Sequence, residues 1–341
     1  MLQAVRNPQG KWIRFEYDAL GRRTAKIANT KIYRYLWDGN AILHEWFYEC
    51  ERRPKVVSDE LGMLMLEQPE PVENLTTWVY EEGSLVPTAK LSEGKSYSIV
   101  SDYLGRPAQA YDDKGKLVWQ VEFDIYGRIR EDIFNNKLFI PFRQLGQYED
   151  IETGLYYNRF RYYDSNTGTY ISQDPIGLAG NNPNFYAYTH DSNTWIDPFG
   201  LDIFSVIDWT APDPSKGGTG YTYKIFQKDV NWDLIDSKGR TNLDRALGGL
   251  APIGADGKSI NLHHSKQQAH GPLFELSATS HQQYGHTNAL HPYRVTPNPD
   301  GTKFNPYDPV DRKAFDVDRK QYWKDRANAE IETRKLKIEC K

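Results

Sequence analysis

Two histidines stand side by side in "INLHHSKQQAH", residues 260–270, and six of the chain's eight histidines fall between His263 and His291. Imidazole is the commonest metal ligand among side chains, and its unperturbed pKa lies close to neutrality. A cluster of this kind can hold a divalent ion, move a proton, or do both. Neighbouring residues on a strand point to opposite faces. A strand carrying the pair therefore offers one imidazole to an ion and keeps the other metal-free to deprotonate water, which makes His263 the ligand and His264 the general base. A purely structural ion would close its shell with four ligands and would need no metal-free histidine beside them.

The surrounding elements suit that division of labour. "RTNLDRALGG" reads as a short helix ended by glycine, "SINLHH" and "GPLFEL" as two strands, and "SATSHQQYGHTNAL" as a helix with Ser277 or Thr279 as N-cap. Strand, strand, helix, with histidines at the end of the first strand and on the helix, is the frame of a ββα-metal site. Arg245, four residues after Thr241, either holds a phosphate or makes a surface ion pair, and Glu275 faces either the site or the sheet. His270, before Gly-Pro, reads as a turn or surface residue. The C-terminal "DRKAFDVDRKQYWKDRANAEIETRKLKIECK" alternates charge at helical spacing, which marks a solvated helix or one that touches a DNA backbone.

At 341 residues the chain exceeds the size at which one hydrophobic core stops growing, so two domains are expected. Cys50 and Cys340 lie at opposite ends, which excludes a disulfide framework and leaves histidines and carboxylates to hold any metal. No apolar run approaches the ~18 residues of a membrane span, so no membrane partner is expected, and the N-terminus lacks the apolar core of a signal peptide. Residues 1–201 carry 22 basic and 28 acidic side chains, and residues 202–341 carry 20 and 18. A tail near +2 beside a −6 remainder is compatible with a nucleic-acid ligand without arguing for one by itself.

From residue 12 to about 170, short alternating runs are punctuated by Asp-Gly, Leu-Gly-Arg or Tyr-Gly-Arg, as in "FEYDALGRRTAKI" and "SDYLGRPAQAYDDKGKLVWQVEFDIYGRIR". Alternation such as Leu117, Trp119, Val121, Phe123 between turn dipeptides predicts an extended antiparallel sheet. The stretch 50–74 breaks the pattern with charge and proline and reads as a loop. His44 and His190 belong to the repeats and carry no assigned chemistry.

"YDALGRR", "FDIYGRIR" and "PFRQLGQYEDIETGLYYNRFRYYDSNTGTYISQDPIGLAG" resemble the Rhs/YD-repeat family over residues 10–201. The resemblance implies a mostly β chain, a YD-repeat antiparallel shell segment over 1–201, followed by a smaller toxin domain over 202–341. It also implies self-cleavage between Leu201 and Asp202 by an aspartyl-protease-like pair, Asp174 and Asp197. From spacing alone Asp-Pro is a good turn former and nothing more, and "DSNT" stands where relatives often have Asn-Asn-Pro. The segment 239–291, with Leu262-His263-His264 at its centre, resembles the LHH branch of the HNH/endonuclease VII superfamily, an α+β ββα-metal fold. Carried over by position, His281 and His286 become the remaining ligands, with His291 as a substitute for either. His281 and His286 are five residues apart, ~140° around an ideal helix, so both reach one ion only where the helix ends or distorts near Gly285.

The resulting expectation is an antibacterial toxin with a divalent-metal-dependent endonuclease tail, the ion being Zn, Ni, Mg or Mn and the substrate DNA in preference to RNA. The alternatives are an RNase of the same fold, or a structural surface protein with a non-catalytic metal site. The resemblance further implies a cognate immunity protein and a type VI or similar contact-dependent delivery machine. The chain would be made in the bacterial cytoplasm and delivered into the cytoplasm of a target cell. Because residue 1 starts inside a repeat, the chain reads as a fragment or displaced cassette of a longer protein.

Overall fold

The computed structural model describes every residue except 59–62, 82–83, 176–183, 202, 265–267, 280, 282–307 and 340–341. Contacts divide the chain into one unit of residues 1–172, 186–188 and 198–200 and a second of residues 173–185, 189–197 and 201–341.

In the first unit β1 (Ala4–Arg6), β2 (Trp12–Tyr17), β3 (Arg23–Ala28), β4 (Lys31–Asp38) and β5 (Ala41–Glu49) lead past a separate hairpin, β6 (Val56–Ser58) and β7 (Leu64–Leu66). The chain continues as β8 (Thr76–Tyr80), β9 (Pro87–Ser92), β10 (Lys95–Ser101), β11 (Pro107–Asp112), β12 (Leu117–Phe123) and β13 (Ile129–Asp132). Apart from the hairpin, these make one antiparallel sheet of eleven strands among the described residues, each pairing with the next. The predicted alternation holds in β12, where Trp119 and Val121 are buried and Glu122 is exposed. The expected loop over 50–74 instead contains β6 and β7. Val-Val-Ser and Leu-Met-Leu have enough strand propensity to pair locally even with all six side chains exposed.

The Gly-Arg theme has a specific cause. Asp18 accepts from the amides of Leu20 and Arg22 with one carboxylate oxygen and from Arg22 Nε, at 2.7 Å, with the other, while Gly21 takes a φ of +72°. The same turn recurs at Asp102–Arg106 and Asp124–Arg128. An aspartate that bonds its own backbone two residues on starts the turn, and glycine supplies the left-handed residue that completes it. A four-stranded antiparallel sheet, β14 (Tyr148–Asp150), β15 (Leu155–Asn158), β16 (Arg161–Asp164) and β17 (Thr169–Tyr170), completes the unit. Its Tyr157 and Tyr162 pack on Ile13, Phe15 and Ala28, beside a fully buried ion pair of Arg23 and Asp150 at 2.5 Å.

The second unit is built on a mixed sheet in the order β18 (Trp195–Ile196), β19 (Phe204–Thr210), β20 (Thr222–Gln227), β22 (Leu273–Leu276), β21 (Asn261–His264), of which only the β20–β22 pair is parallel. β18 precedes Leu201 in sequence, yet its Trp195 and Ile196 pair with Ser205 and Phe204. His190 also lies in this unit rather than with the repeats, its ring 4.8 Å from Trp195. Helix α1 (Asn242–Leu247) ends at Gly248, as the sequence suggested, and starts on a capping box of Thr241 and Asp244, a cap not expected from the sequence. Buried Asn242 donates to the carbonyls of Asn231 and Ile253 and accepts from Ile253 N, so the first residue of α1 ties two loops together.

Helix α2 (Arg312–Glu339) was expected to be solvated, and half of it is not. Phe315, Tyr322, Trp323 and Ala327, at i, i+7, i+8 and i+12, form one buried stripe against Tyr223, Ile225, Ile260 and Leu273 of the sheet side. The charge alternation conceals this stripe because only a few apolar residues carry it. Gly249, at φ +76°, lets the loop after α1 approach α2 closely: a Cβ there would stand 3.3 Å from both Cβ and O of Lys320.

Candidate functional site

The two predicted strands, β21 and β22, form an antiparallel pair in a register that sets His263 opposite Phe274 and His264 opposite Leu273. Alternation then separates the two imidazoles, as the sequence required. The ring of His264 packs 4.1 Å from that of Phe315 and 5.8 Å from that of Tyr223, on the α2 side of the sheet. The ring of His263 meets the ring of His281 instead, with centroids 5.1 Å apart and planes at 65°.

His281 is presented by the start of a helix. Ser277 O accepts the first helical bond from His281 N, which makes Ser277 the N-cap, and the carboxylate of Asp256 accepts from Thr279 N at 2.9 Å. Asp256 comes from the loop before β21 and gave no sequence signal of this role. His286 and His291 lie outside the described residues, as does Asp202. Among the described residues no three His, Cys, Asp or Glu side chains converge, so the structure supplies a pair of candidate ligands. Two imidazoles bound at about 2.1 Å to one tetrahedral ion would carry their ring centres about 5 Å apart, which is the separation found and also that of an edge contact between rings.

His264 is 5% exposed and its Nε2 is buried without a hydrogen-bond partner among the described residues. Burial, with the positive charge of Arg312 as a second cause, pushes its pKa down to about 3. The imidazole is therefore neutral at pH 7 and keeps a lone pair to accept a proton.

A cleft of about 550 Å³ opens between β21, the loop after α1 and α2, with His263, His264 and His281 on its wall. Arg245, Arg312, Arg319 and Lys320 also line it. Arg245 is already engaged: Nη1 pairs with Asp236 at 2.8 Å, Nε and Nη2 donate to Ala251 O, and Nη2 also reaches Ser259. Glu275 does not line the cleft; opposite Leu262 in the pairing, it lies on the same face of the sheet as His264 and is engaged by α2. It is fully buried, accepts from Lys228 N at 2.7 Å and from Tyr322, and pairs with Arg326 at 2.9 Å. Its pKa is raised by burial despite those partners. His270 is exposed in a turn, its ring 3.8 Å from Tyr221.

At the boundary, Asp197 is fully buried and its Oδ1 accepts from the amide of Leu201 at 2.9 Å. Asp174 is half-buried, and its amide donates to Phe185 O at 2.9 Å.

Two family models match the chain. Residues 1–194 match the Teneurin YD-shell, and residues 241–329 match a nuclease of the HNH/ENDO VII superfamily with conserved LHH. Toxin protein Tse5 of Pseudomonas aeruginosa PAO1 is 37% identical over 211 residues, 57% of this chain and 16% of its own. Probable deoxyribonuclease RhsA of Dickeya dadantii 3937 is 34% identical over 207 residues, 59% of this chain and 13% of its own. Double-stranded DNA deaminase toxin A of Burkholderia cenocepacia H111 is 32% identical over 205 residues, 55% of this chain and 14% of its own. The chain thus spans about a sixth or less of the length of these relatives.

Proposed function

The chain belongs to the Teneurin YD-shell family through residues 1–194, and from that premise we propose that its tail, residues 202–341, is the metal-dependent endonuclease of a toxin. One observation carries the reading: His264, neutral and with a buried Nε2 that has no partner among the described residues, stands beside a second histidine whose ring meets that of a third. His263 and His281 are the imidazoles that would hold the ion, with His286 or His291 as a further ligand. A divalent ion bound there would neutralise charge on the scissile phosphate and stabilise the leaving oxygen. His264 accepts the proton of the attacking water. Its low basicity in the free chain comes mainly from burial, and an incoming phosphate raises it by bringing negative charge close to the ring.

The relatives support a toxin. Their names give a toxin, a probable deoxyribonuclease and a deaminase, while the matched share of this chain, 55–59%, stays close to the share that the shell model takes. A shared shell segment with differing tails is the simplest account. The deoxyribonuclease among them favours DNA. Nuclease action against bacteria implies an immunity protein in the producing cell and delivery into another cell's cytoplasm.

Release of the tail by hydrolysis of Leu201–Asp202 is part of the proposal. Asp197 holds the amide of the residue whose carbonyl would be attacked. Paired with Asp174 it would share one proton, one carboxyl acting as acid while the other activates water. Incubation of the purified chain with plasmid DNA and with RNA, in turn with Mg, Mn, Zn and Ni, tests the nuclease. Cleavage that a chelator abolishes is expected; no cleavage of either substrate with any of the four ions removes the reading.

A further inference from the structure

We propose that the first turns of α2 are the phosphate rail of the cleft: Arg312, Arg319 and Lys320 hold the backbone of a nucleic-acid strand, and Asp316 occupies two of these cations until the strand displaces it. The proposal deepens the nuclease reading above and rests on it for the identity of the ligand.

Spacing is the first argument. Arg312 and Arg319 are seven residues apart, so they lie within about 20° of one helix face and about 10 Å apart along the axis. That rise covers three nucleotide steps of one strand at about 3.4 Å each. Lys320 broadens the face by one position. All three side chains line the same cleft as His263, His264 and His281.

Availability is the second. Arg312 is exposed and carries no ion pair among the described residues. Arg319 and Lys320 both pair with Asp316, Lys320 at 2.7 Å, and the three side chains are 42–58% exposed. Ion pairs so accessible to water contribute little and exchange readily for another anion. Three other arginines nearby are engaged: Arg245 holds the Asp236 turn, Arg326 pairs with buried Glu275, and Arg334 pairs with Asp233 and Glu330.

Rigidity is the third. Phe315, Tyr322 and Trp323, three or four residues from these cations on the same side of the helix, are buried in the core and anchor these turns. The cations are therefore placed before any ligand arrives, and binding need not order the helix.

The test measures binding without chemistry. The full chain, in chelator so that nothing is cleaved, is titrated into a fluorescein-labelled DNA duplex of about 20 base pairs and into the RNA duplex of the same sequence, from about 50 to about 200 mM salt. Each cation that displaces condensed counterions contributes about 0.9 to the slope of log Kd against log salt on B-DNA. Arg312→Gln and Arg319→Gln should each lower that slope by about 0.9, whereas Asp316→Asn should tighten binding at every salt concentration. A rail that touches only phosphate lowers the slope for both duplexes; a loss confined to one assigns the rail to that nucleic acid. No measurable binding, or slopes for all three variants equal to that of the wild type, overturns the proposal. The nuclease reading fails separately. If the slopes change as expected but metal-loaded chain cuts nothing, the rail stands without the chemistry. If cutting depends on His264 but the slopes ignore α2, the chemistry stands without the rail.

Discussion

Replacement of His264 by glutamine should make the second unit less sensitive to acid, and the size of the effect follows from burial. The imidazole's usual pKa of 6.5 falls to about 3 in the fold, chiefly because the ring is buried between Phe315 and Tyr223. Its contribution is fully present above pH 6.5 and is lost as pH falls toward 3, because below 6.5 only the unfolded chain takes up the proton. At pH 5 the unfolded histidine is almost wholly protonated while the folded one remains neutral. The linkage cost over that interval of about 1.5 pH units is then about 2 kcal/mol relative to pH 7. Glutamine does not titrate, so the difference in unfolding free energy between wild type and His264→Gln should shift by about 2 kcal/mol from pH 7 to pH 5. Taking the difference cancels every other titrating group. Urea unfolding in chelator, read by pulse proteolysis with peptide mapping of the surviving fragments, reports the second unit separately from the first. Parallel pH dependences for the two chains would refute the placement of a neutral, buried imidazole at this position.

Three further outcomes test the site and its frame. His264→Ala should lower DNA cleavage by about 10²–10⁴-fold, the usual worth of a general base, with metal affinity nearly intact by calorimetry; His263→Ala should weaken both, and a His264 variant that cuts at the wild-type rate would undo the assignment. Purified chain should run under denaturing conditions as pieces of about 201 and about 140 residues, and Asp197→Asn should leave it whole by mass spectrometry; an intact wild-type chain removes self-cleavage. Trp323→Ala should destabilise the second unit by about 3–5 kcal/mol, the cost of emptying a fully buried indole site, and a loss below about 1 kcal/mol would show that α2 does not pack on the sheet.

Local codes were legible in the sequence and convergence was not. The repeats announced their sheet because strands such as β12 alternate and turns such as those at Asp18, Asp102 and Asp124 carry their own aspartate and glycine, so neighbours suffice to fix the structure there. The strands around His263 and His264 and the glycine end of α1 were legible for the same reason. The partners of those elements come from far away: Phe315 and Tyr223 around His264, Asp256 at the helix that presents His281, Tyr322 and Arg326 on Glu275. No window of sequence contains both members of any of these contacts. The stripe of α2 was present in the sequence as Phe315, Tyr322, Trp323 and Ala327, but charged residues outnumber it, and only the opposing sheet shows that it is buried.

Arg245 shows how one local motif decides a distant question. "DSKGR", residues 236–240, forms the same turn as the repeats of the first unit: Asp236 accepts from the amides of Lys238 and Arg240 with one oxygen, Arg240 pairs with the other, and Gly239 takes a φ of +77°. The turn is therefore a general product of aspartate, glycine and arginine at this spacing, and its presence in the tail says nothing about membership in the shell. Asp236 differs from the others in receiving a second cation, Arg245, at 2.8 Å. The hydrogen bonds from Arg240, joined by those from Arg245, hold its carboxyl well below the usual range. A carboxylate so stabilised does not yield its partner to a phosphate, and Arg245 donates to Ala251 O as well. An arginine whose donors are spent on the fold lines a cleft as structure, whereas Arg312, exposed one helix away, keeps its donors for a ligand. The contrast yields a last prediction. Arg245→Gln should lower stability and leave the salt slope of DNA binding unchanged, while Arg312→Gln should do the reverse. Equal effects of the two on the slope would mean that Arg245 leaves Asp236 when nucleic acid binds.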